Sequence, residues 1–405
     1  MKEIKGGITA AKGFKAASCA AGIKYKDRTD MAMVYSEKEA VCAGTFTTNR
    51  VKAACVKWDM LVREKGVAQA IVVNSGIANA CTGKEGFDAC ESVAKAVSDE
   101  LNVDSDKVIV ASTGVIGMQL PVDKLVAGVR TMAGNLDDSI EAGTASSKAI
   151  MTTDTVNKEM AVSIEIDGKE VIIGGMCKGS GMIHPNMCTM LAFLGSDVAI
   201  TKELLQEAVS EVVNETFNMI TVDGDTSTND TFMLLCNGMS EASITSKGKD
   251  YDAFRDALLY ICRNLAMRMA ADGEGATRLF EAEVVNAKCK EDARTLSKAI
   301  VGSSLSKAAI FGRDANFGRF LCAMGYSGAE FDEADVELYF VSKAGRLKVF
   351  DHGVPLEFDE EEAVRIMSED AVTVYVNMNE GEDQATAWGC DLTYDYVKIN
   401  ADYRS

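Results

Sequence analysis

The chain has 405 residues, 47% of them hydrophobic and 25% charged, with a formal net charge of −19. That length exceeds what one hydrophobic core usually serves, so two domains or lobes are expected of an ordinary folded soluble protein. The charge argues against nucleic acid or an anionic membrane as partner, because both are polyanions, and leaves small, locally paired anionic substrates open.

The first residues, Met1 to Thr9, hold no apolar core of signal-peptide length, and no stretch approaches the roughly 18 uninterrupted apolar residues of a membrane helix. A cytoplasmic location is expected. The 12 cysteines are scattered singly. Their closest pairs, Cys81/Cys90 and Cys177/Cys188, lack ligand spacing, so reduced thiols packed as small hydrophobes are expected.

Along the chain, Ala70–Asn74 reads as a buried strand ending at Ser75-Gly76, and Phe87, Cys90, Val93, Ala94, Val97 and Leu101 recur at helical spacing. The pattern repeats with a strand at 107–111, the loop Ser112-Thr113-Gly114-Val115-Ile116-Gly117, and a helix opened by Pro121. A helix over 137–150 ends in the threonine cluster Met151–Thr155. Alternation over Met160–Ile166 and Glu170–Ile173 predicts a hairpin. It feeds into the stretch Met176–Phe193, a glycine-rich loop followed by an apolar run with Thr189 at the junction.

Thr201 is a predicted N-cap for a helix with apolar residues at 204, 205, 208, 209, 212 and 213. The series Phe254, Ala257, Leu258, Ile261, Cys262, Leu265, Ala266 and Met269 is the clearest helix, ending at Asp272-Gly273-Glu274-Gly275, where glycine takes the left-handed conformation. Beyond 280 the spacing predicts a helix over 292–302, strands over 307–311, 335–341 and 371–377, and a loop over Phe311–Arg319. The alternation in Asp391–Asn400 reads as a strand. Strands and helices in mixed order indicate a mixed α/β or α+β sandwich.

A threonine hydroxyl is a weak nucleophile at neutral pH. It is activated when it becomes the first residue of a chain, because its own α-amine then serves as the base. An internal threonine reaches that state when its Oγ attacks the preceding carbonyl, here that of Cys188, and the resulting ester is hydrolysed. Composition and spacing alone favour the plainer reading, Thr189 as the start of a buried strand.

The wider sequence bears on that choice. Residues 179–193, Gly-Ser-Gly-Met-Ile-His-Pro-Asn-Met-Cys-Thr-Met-Leu-Ala-Phe, closely resemble the cleavage motif of the ornithine acetyltransferase (glutamate N-acetyltransferase) family of arginine biosynthesis. Gly6–Phe14, Phe46–Arg50, Asn74–Asn79, Ser112–Gly117, Met151–Thr155, Asp272–Thr277 and Ile399–Ser405 resemble further blocks of the family in order, so nearly the whole chain is covered. The family commonly has alanine where this chain has Cys188.

The resemblance implies an αββα-type, N-terminal-nucleophile-like multilayer sandwich with a second, smaller lobe. It also implies self-cleavage between Cys188 and Thr189 into chains 1–188 and 189–405, the second including a C-terminal lobe from about 280. Two such cleaved protomers are expected to pair. The implied reaction moves an acetyl group from N2-acetylornithine to glutamate through acetyl-Thr189. Thr113 and Gly114 would hold the oxyanion, Lys178 the substrate α-carboxylate, and Glu274 the cationic end of ornithine. Thr152, Asn400 and Ser405 would complete the substrate contacts, with Thr153 an alternative to Thr152 and serine standing where many members carry threonine.

No organic cofactor is expected, since Gly179-Ser180-Gly181 is too short for a dinucleotide loop. Acetyl-CoA as a second donor is left open by the residues. No metal is expected either: Asp223, Asp225, Ser227 and Asn229 resemble a calcium loop, but Thr228 stands at its glycine position and Leu234 at its glutamate. His184 and His352 are the two histidines, and His184, beside Pro185, reads as structural. The rival readings are an N-terminal-nucleophile amidase or aminopeptidase, with water as acceptor, and an uncleaved amino-acid-binding protein.

Overall fold

The computed structural model describes residues 1–184 and 190–402. The strands of the first half are β1 (Lys2–Ile4), β2 (Phe14–Cys19), β3 (Met31–Phe46), β4 (Val67–Ile77), β5 (Val108–Val115), β6 (Lys158–Ile166) and β7 (Lys169–Lys178). The helices there are α1 (Ala54–Lys65), α2 (Gly83–Leu101), α3 (Val122–Ala133) and α4 (Ile140–Ala149). The chain continues through β8 (Leu191–Ser196), β9 (Ala199–Ile200), α5 (Lys202–Glu215), β10 (Thr231–Cys236), β11 (Ser243–Ile244) and α6 (Lys249–Ala271). Next come β12 (Leu279–Ala287), α7 (Lys290–Gly302), α8 (Ser304–Gly312), α9 (Phe317–Gly325), β13 (Glu337–Ser342), β14 (Gly345–Asp351) and β15 (Val354–Pro355). The last elements are α10 (Glu360–Met367), β16 (Ala371–Asn377), β17 (Asp383–Cys390) and α11 (Tyr394–Asp402).

Nine strands form one sheet, ordered β1-β6-β7-β8-β10-β3-β4-β5 with β2 paired to β3, and six form a second, ordered β15-β14-β13-β16-β12-β17. The middle of the large sheet is buried on both faces. In β8, Leu191 and Phe193 turn to one side and Ala192 and Leu194 to the other, and β10 divides in the same way. Such strands need apolar residues at every position, which is why the sequence around 190–194 and 232–236 shows runs without alternation. β8 and β10 pair in parallel, with Thr231 opposite Leu191.

Helices α1 to α4 cover one face of this sheet, while α5 and α6 lie on the other. All eight apolar positions predicted for the long helix are buried in α6. It packs on β6 and β7 and also on β12 and β17, so the two sheets share it. Burying each large side chain on that stripe contributes about 1.5–3 kcal/mol, which fixes where the turn after α6 emerges. The result is the layered α/β sandwich with a smaller C-terminal sheet that the sequence predicted.

Two local expectations fail and a third is trimmed. The predicted strand 307–311 lies inside α8, because Ser303 caps a helix there by accepting from the Ser306 N–H, and Ser306, Lys307, Ala309 and Ile310 bury one helical face. The predicted loop Phe311–Arg319 is present but shorter, residues 313–316, because its ends belong to α8 and α9. The predicted terminal strand within 391–400 is mostly α11, whose first turn is capped by Thr393 Oγ1 accepting from the Tyr396 N–H at 3.4 Å. The period-two apolar pattern misled because α11 has no buried residue to set its periodicity.

Candidate active site

Three parts of the chain converge on one cleft. The parallel strands β4 and β5 end side by side, with Gly76 opposite Gly114. Gly114 has φ +132°, and a Cβ there would lie 2.3 Å from the Gly76 carbonyl carbon, so only glycine fits. The Asn229 amide, just before β10, donates to Ser112 O at 2.7 Å and to Ala78 O, tying these strand ends together. They present Thr113 and Gly114 to the cleft.

The second part is Lys178, the last residue of β7 and the cross-strand partner of Leu191 in β8. The end of β7 and the start of β8 therefore lie side by side at one edge of the cleft. Lys178 Nζ donates to Thr152 Oγ1 at 2.9 Å and lies 3.4 Å from Thr113 Oγ1. Thr153 also lines the cleft and hydrogen-bonds Ser180 Oγ at 2.7 Å. Arg28 anchors this loop from outside through the carbonyls of Met151 and Thr152, at 2.7 and 3.1 Å.

The third part is the turn after α6. Gly275 takes the left-handed conformation predicted for it, with φ +69°. The Glu274 N–H donates to Ser180 O at 2.8 Å, and its carboxylate accepts from Asn400 Nδ2 at 2.8 Å. Gly181 makes room for that carboxylate: a Cβ at 181 would approach Glu274 Cδ to 2.4 Å.

The structure thus brings Thr113, Gly114, Thr152, its alternative Thr153, Lys178, Glu274 and Asn400 into one cleft. Cys188, Thr189 and Ser405 lie outside the described residues. Asp223 has a positioning contact: its carboxylate accepts from the N–H groups of Met182 and Ile183, at 2.6 and 2.9 Å, and from Tyr396 Oη at 3.2 Å. His184 is fixed by hydrogen bonds from Nδ1 to Thr221 Oγ1 at 3.0 Å and from Thr226 Oγ1 to its carbonyl at 2.8 Å. Among the described residues the cluster suited to a metal is Glu337, Asp351 and His352, on the smaller sheet. There Lys348 already pairs with both carboxylates at 2.6 Å.

Charge in the cleft is set by burial and by near neighbours. Burial pulls Lys178 below its ordinary value against the opposing pull of Asp154. For Asp154 itself burial acts upward, but Lys178 and Lys158 outweigh it and hold the carboxyl well below the usual carboxylate range. Asp230 is also buried in the cleft wall, with Oδ2 unpartnered among the described residues, and burial pushes its carboxyl well above the usual range. Sequence reasoning missed Asp154, Lys158 and Asp230, and weighed Asn229 only as part of a calcium-like loop. Asp154 was visible inside the threonine cluster, but nothing local marked Lys158 as a buried partner 4 residues on.

The ArgJ family model matches residues 15–405. The chain belongs to the ArgJ family. An arginine biosynthesis bifunctional protein ArgJ from Caldanaerobacter subterraneus subsp. tengcongensis is 49% identical, covering all of both chains. The ArgJ 1 protein of Clostridium acetobutylicum is 48% identical over 98% of this chain and 97% of its own. Among solved structures, a chain of ArgJ from Bacillus halodurans is 45% identical, covers 51% of this chain and 96% of itself, and has a TM-score of 0.49. Family membership makes the chain an acyltransferase, as its motifs implied, so the cleft is to be read as the site of an enzyme. Among the described residues, no helix is long and apolar enough to cross a membrane.

Proposed function

We propose that this ArgJ-family chain moves an acetyl group from N2-acetylornithine to glutamate through an ester on Thr189, after cutting itself between Cys188 and Thr189. The observation that carries the reading is a single cleft lined by a buried cation, Lys178, a carboxylate, Glu274, and the Thr113–Gly114 strand end. An ornithine derivative carries the complementary charges, a carboxylate for Lys178 and an ammonium for Glu274. Asn400, a neutral donor beside Glu274, gives the side-chain carboxylate of glutamate a partner at the same end.

In this mechanism the Thr189 hydroxyl attacks the acetyl carbonyl while its α-amine takes the hydroxyl proton. The oxyanion is held by the Thr113 hydroxyl and the Gly114 N–H, each such donor being worth about 2.7–4 kcal/mol. The amide C–N bond breaks, the α-amine returns the proton to the departing nitrogen, and ornithine leaves. The amine of glutamate then attacks the ester, and Thr189 recovers its proton. No bound cofactor takes part. We place the reaction in the cytoplasm, carried out by two paired, cleaved protomers, with acetyl-CoA as a further donor to be tested in the same assay.

Incubation with N2-acetylornithine alone, followed by mass measurement, tests the scheme. One acetyl group on the Thr189 hydroxyl, with parallel initial-rate lines at varied glutamate, is the expected result. Intersecting lines and an unmodified threonine would remove the covalent intermediate. Acetate release without glutamate would turn the reading to a hydrolase.

A further inference from the structure

We infer that Lys158, a fully buried lysine lying behind the cleft, sets the separation of the cleft's two charged groups and thereby the length of amino acid the enzyme accepts. The inference rests on the reading of the cleft as an ornithine and glutamate site. Lys158 opens β6 and is 0% exposed. Its ammonium donates to Asp154 Oδ1 at 2.8 Å, to Val156 O at 3.2 Å and to Asp272 Oδ2 at 2.6 Å, so all three protons are used.

Each carboxylate it grips controls one end of the cleft. Asp154 accepts from the Gly179 N–H at 2.7 Å and the Thr152 N–H at 3.0 Å, and lies 3.8 Å from Lys178 Nζ. It therefore locates the lysine, its hydroxyl partner and the residue that follows the lysine. Asp272 lies two residues before Glu274 in the turn after α6. Thr155 gives it both a backbone N–H, at 3.1 Å, and its hydroxyl, and the Val156 N–H adds a third contact. The hydrogen bonds that the described residues make between segment 151–158 and this turn all end on Asp272.

Lys158 is thus a bridge with the cation-bearing arm on one side and the carboxylate-bearing arm on the other. The four groups, two lysines and two aspartates, are balanced in charge. Without Lys158, two buried carboxylates are left with the single cation of Lys178, which lies on the Asp154 side, and the pair is driven to separate or take up a proton. Either response shifts Glu274 relative to Lys178. Lys158, Asp154 and Asp272 are positioning residues in this scheme, since none of them needs to touch substrate.

The test is calorimetric binding of L-ornithine and of its one-methylene-shorter homologue, L-2,4-diaminobutyrate. The proteins are the cleaved wild-type enzyme, Asp272→Asn, and the Lys158→Met/Asp272→Asn double variant, which lowers the buried charge in a balanced way and retains the fold if either does. Thermal melts establish that each variant is folded. The wild type is expected to prefer ornithine by on the order of tenfold or more, the usual worth of one methylene in a fitted site. Both variants are expected to lose most of that preference. A folded variant that binds both amino acids more weakly but keeps the wild-type ratio would show that the network only stabilises the fold, and would overturn the inference. A wild-type enzyme that binds neither amino acid would overturn the reading of the cleft, and the inference with it.

Discussion

His184 is held where a proton is costly. Burial, helped by the nearby Lys298, lowers its imidazole from 6.5 to about 4. Between those two values the unfolded chain carries a proton that the folded chain refuses, so acidification through this window drains stability, and the full contribution is present above 6.5. Replacing His184 with Gln keeps a side chain able to meet Thr221 and removes the titration. Urea melts across pH 4 to 6.5 are expected to show a shallower loss of stability in His184→Gln than in the wild type. Parallel curves would mean that another group titrates there. The same scale separates Thr152 from Thr153: adjacent and alike in sequence, they diverge because one hydroxyl meets Lys178 and the other Ser180.

α11 touches the site from the margin of the core, against which its Tyr396 packs. No residue of it is buried, and Tyr394 and Val397 are 84% and 64% exposed. It is held by Asn400 on Glu274, by Tyr396 on Asp223 and by the Thr393 hydroxyl on the Gly275 carbonyl at 2.7 Å. Ending the chain after Thr393 is therefore expected to leave the melting temperature nearly unchanged. Affinity for ornithine should fall by about tenfold or more, since hydrogen bonds to charged groups are worth roughly 1.5–3 kcal/mol. A large drop in melting temperature with unchanged affinity would make α11 a structural element only. Its helical form was not legible in the residues, because an exposed helix leaves no apolar stripe to read. α6 was legible from end to end for the opposite reason.

For the molecule as a whole, the decisive arrangement is the order of the large sheet. β8 and β10, from the chain after residue 189, lie between β7 and β3, from the chain before it. A cut between Cys188 and Thr189 leaves the ladders β7–β8 and β10–β3 intact. Wild-type protein is expected to run as one species on native gel filtration and to resolve in denaturant into pieces of 188 and 217 residues, the two parts of 405. Thr189→Ala should give one full-length chain under both conditions. Pieces that part without denaturant would contradict the interleaved sheet. A wild-type chain that stays whole would show that Cys188 has stalled the cut or that Thr189 is not the nucleophile.

Much of this protein is written locally in its chain. The runs 190–194 and 232–236 and the stripe along α6 follow from burial acting within a few residues, so the mixed α/β layering could be read before any coordinates, while the cleft residues could be picked out through the family resemblance of their motifs. The closure at Gly114 against Gly76, the room Gly181 makes for Glu274, and the bridge from Asp154 through Lys158 to Asp272 could not. Each joins residues that sequence separation hides, from 38 positions for the first to 118 from Asp154 to Asp272. Charge pairing and steric fit act through space, and only the folded chain brings such partners within reach of one another.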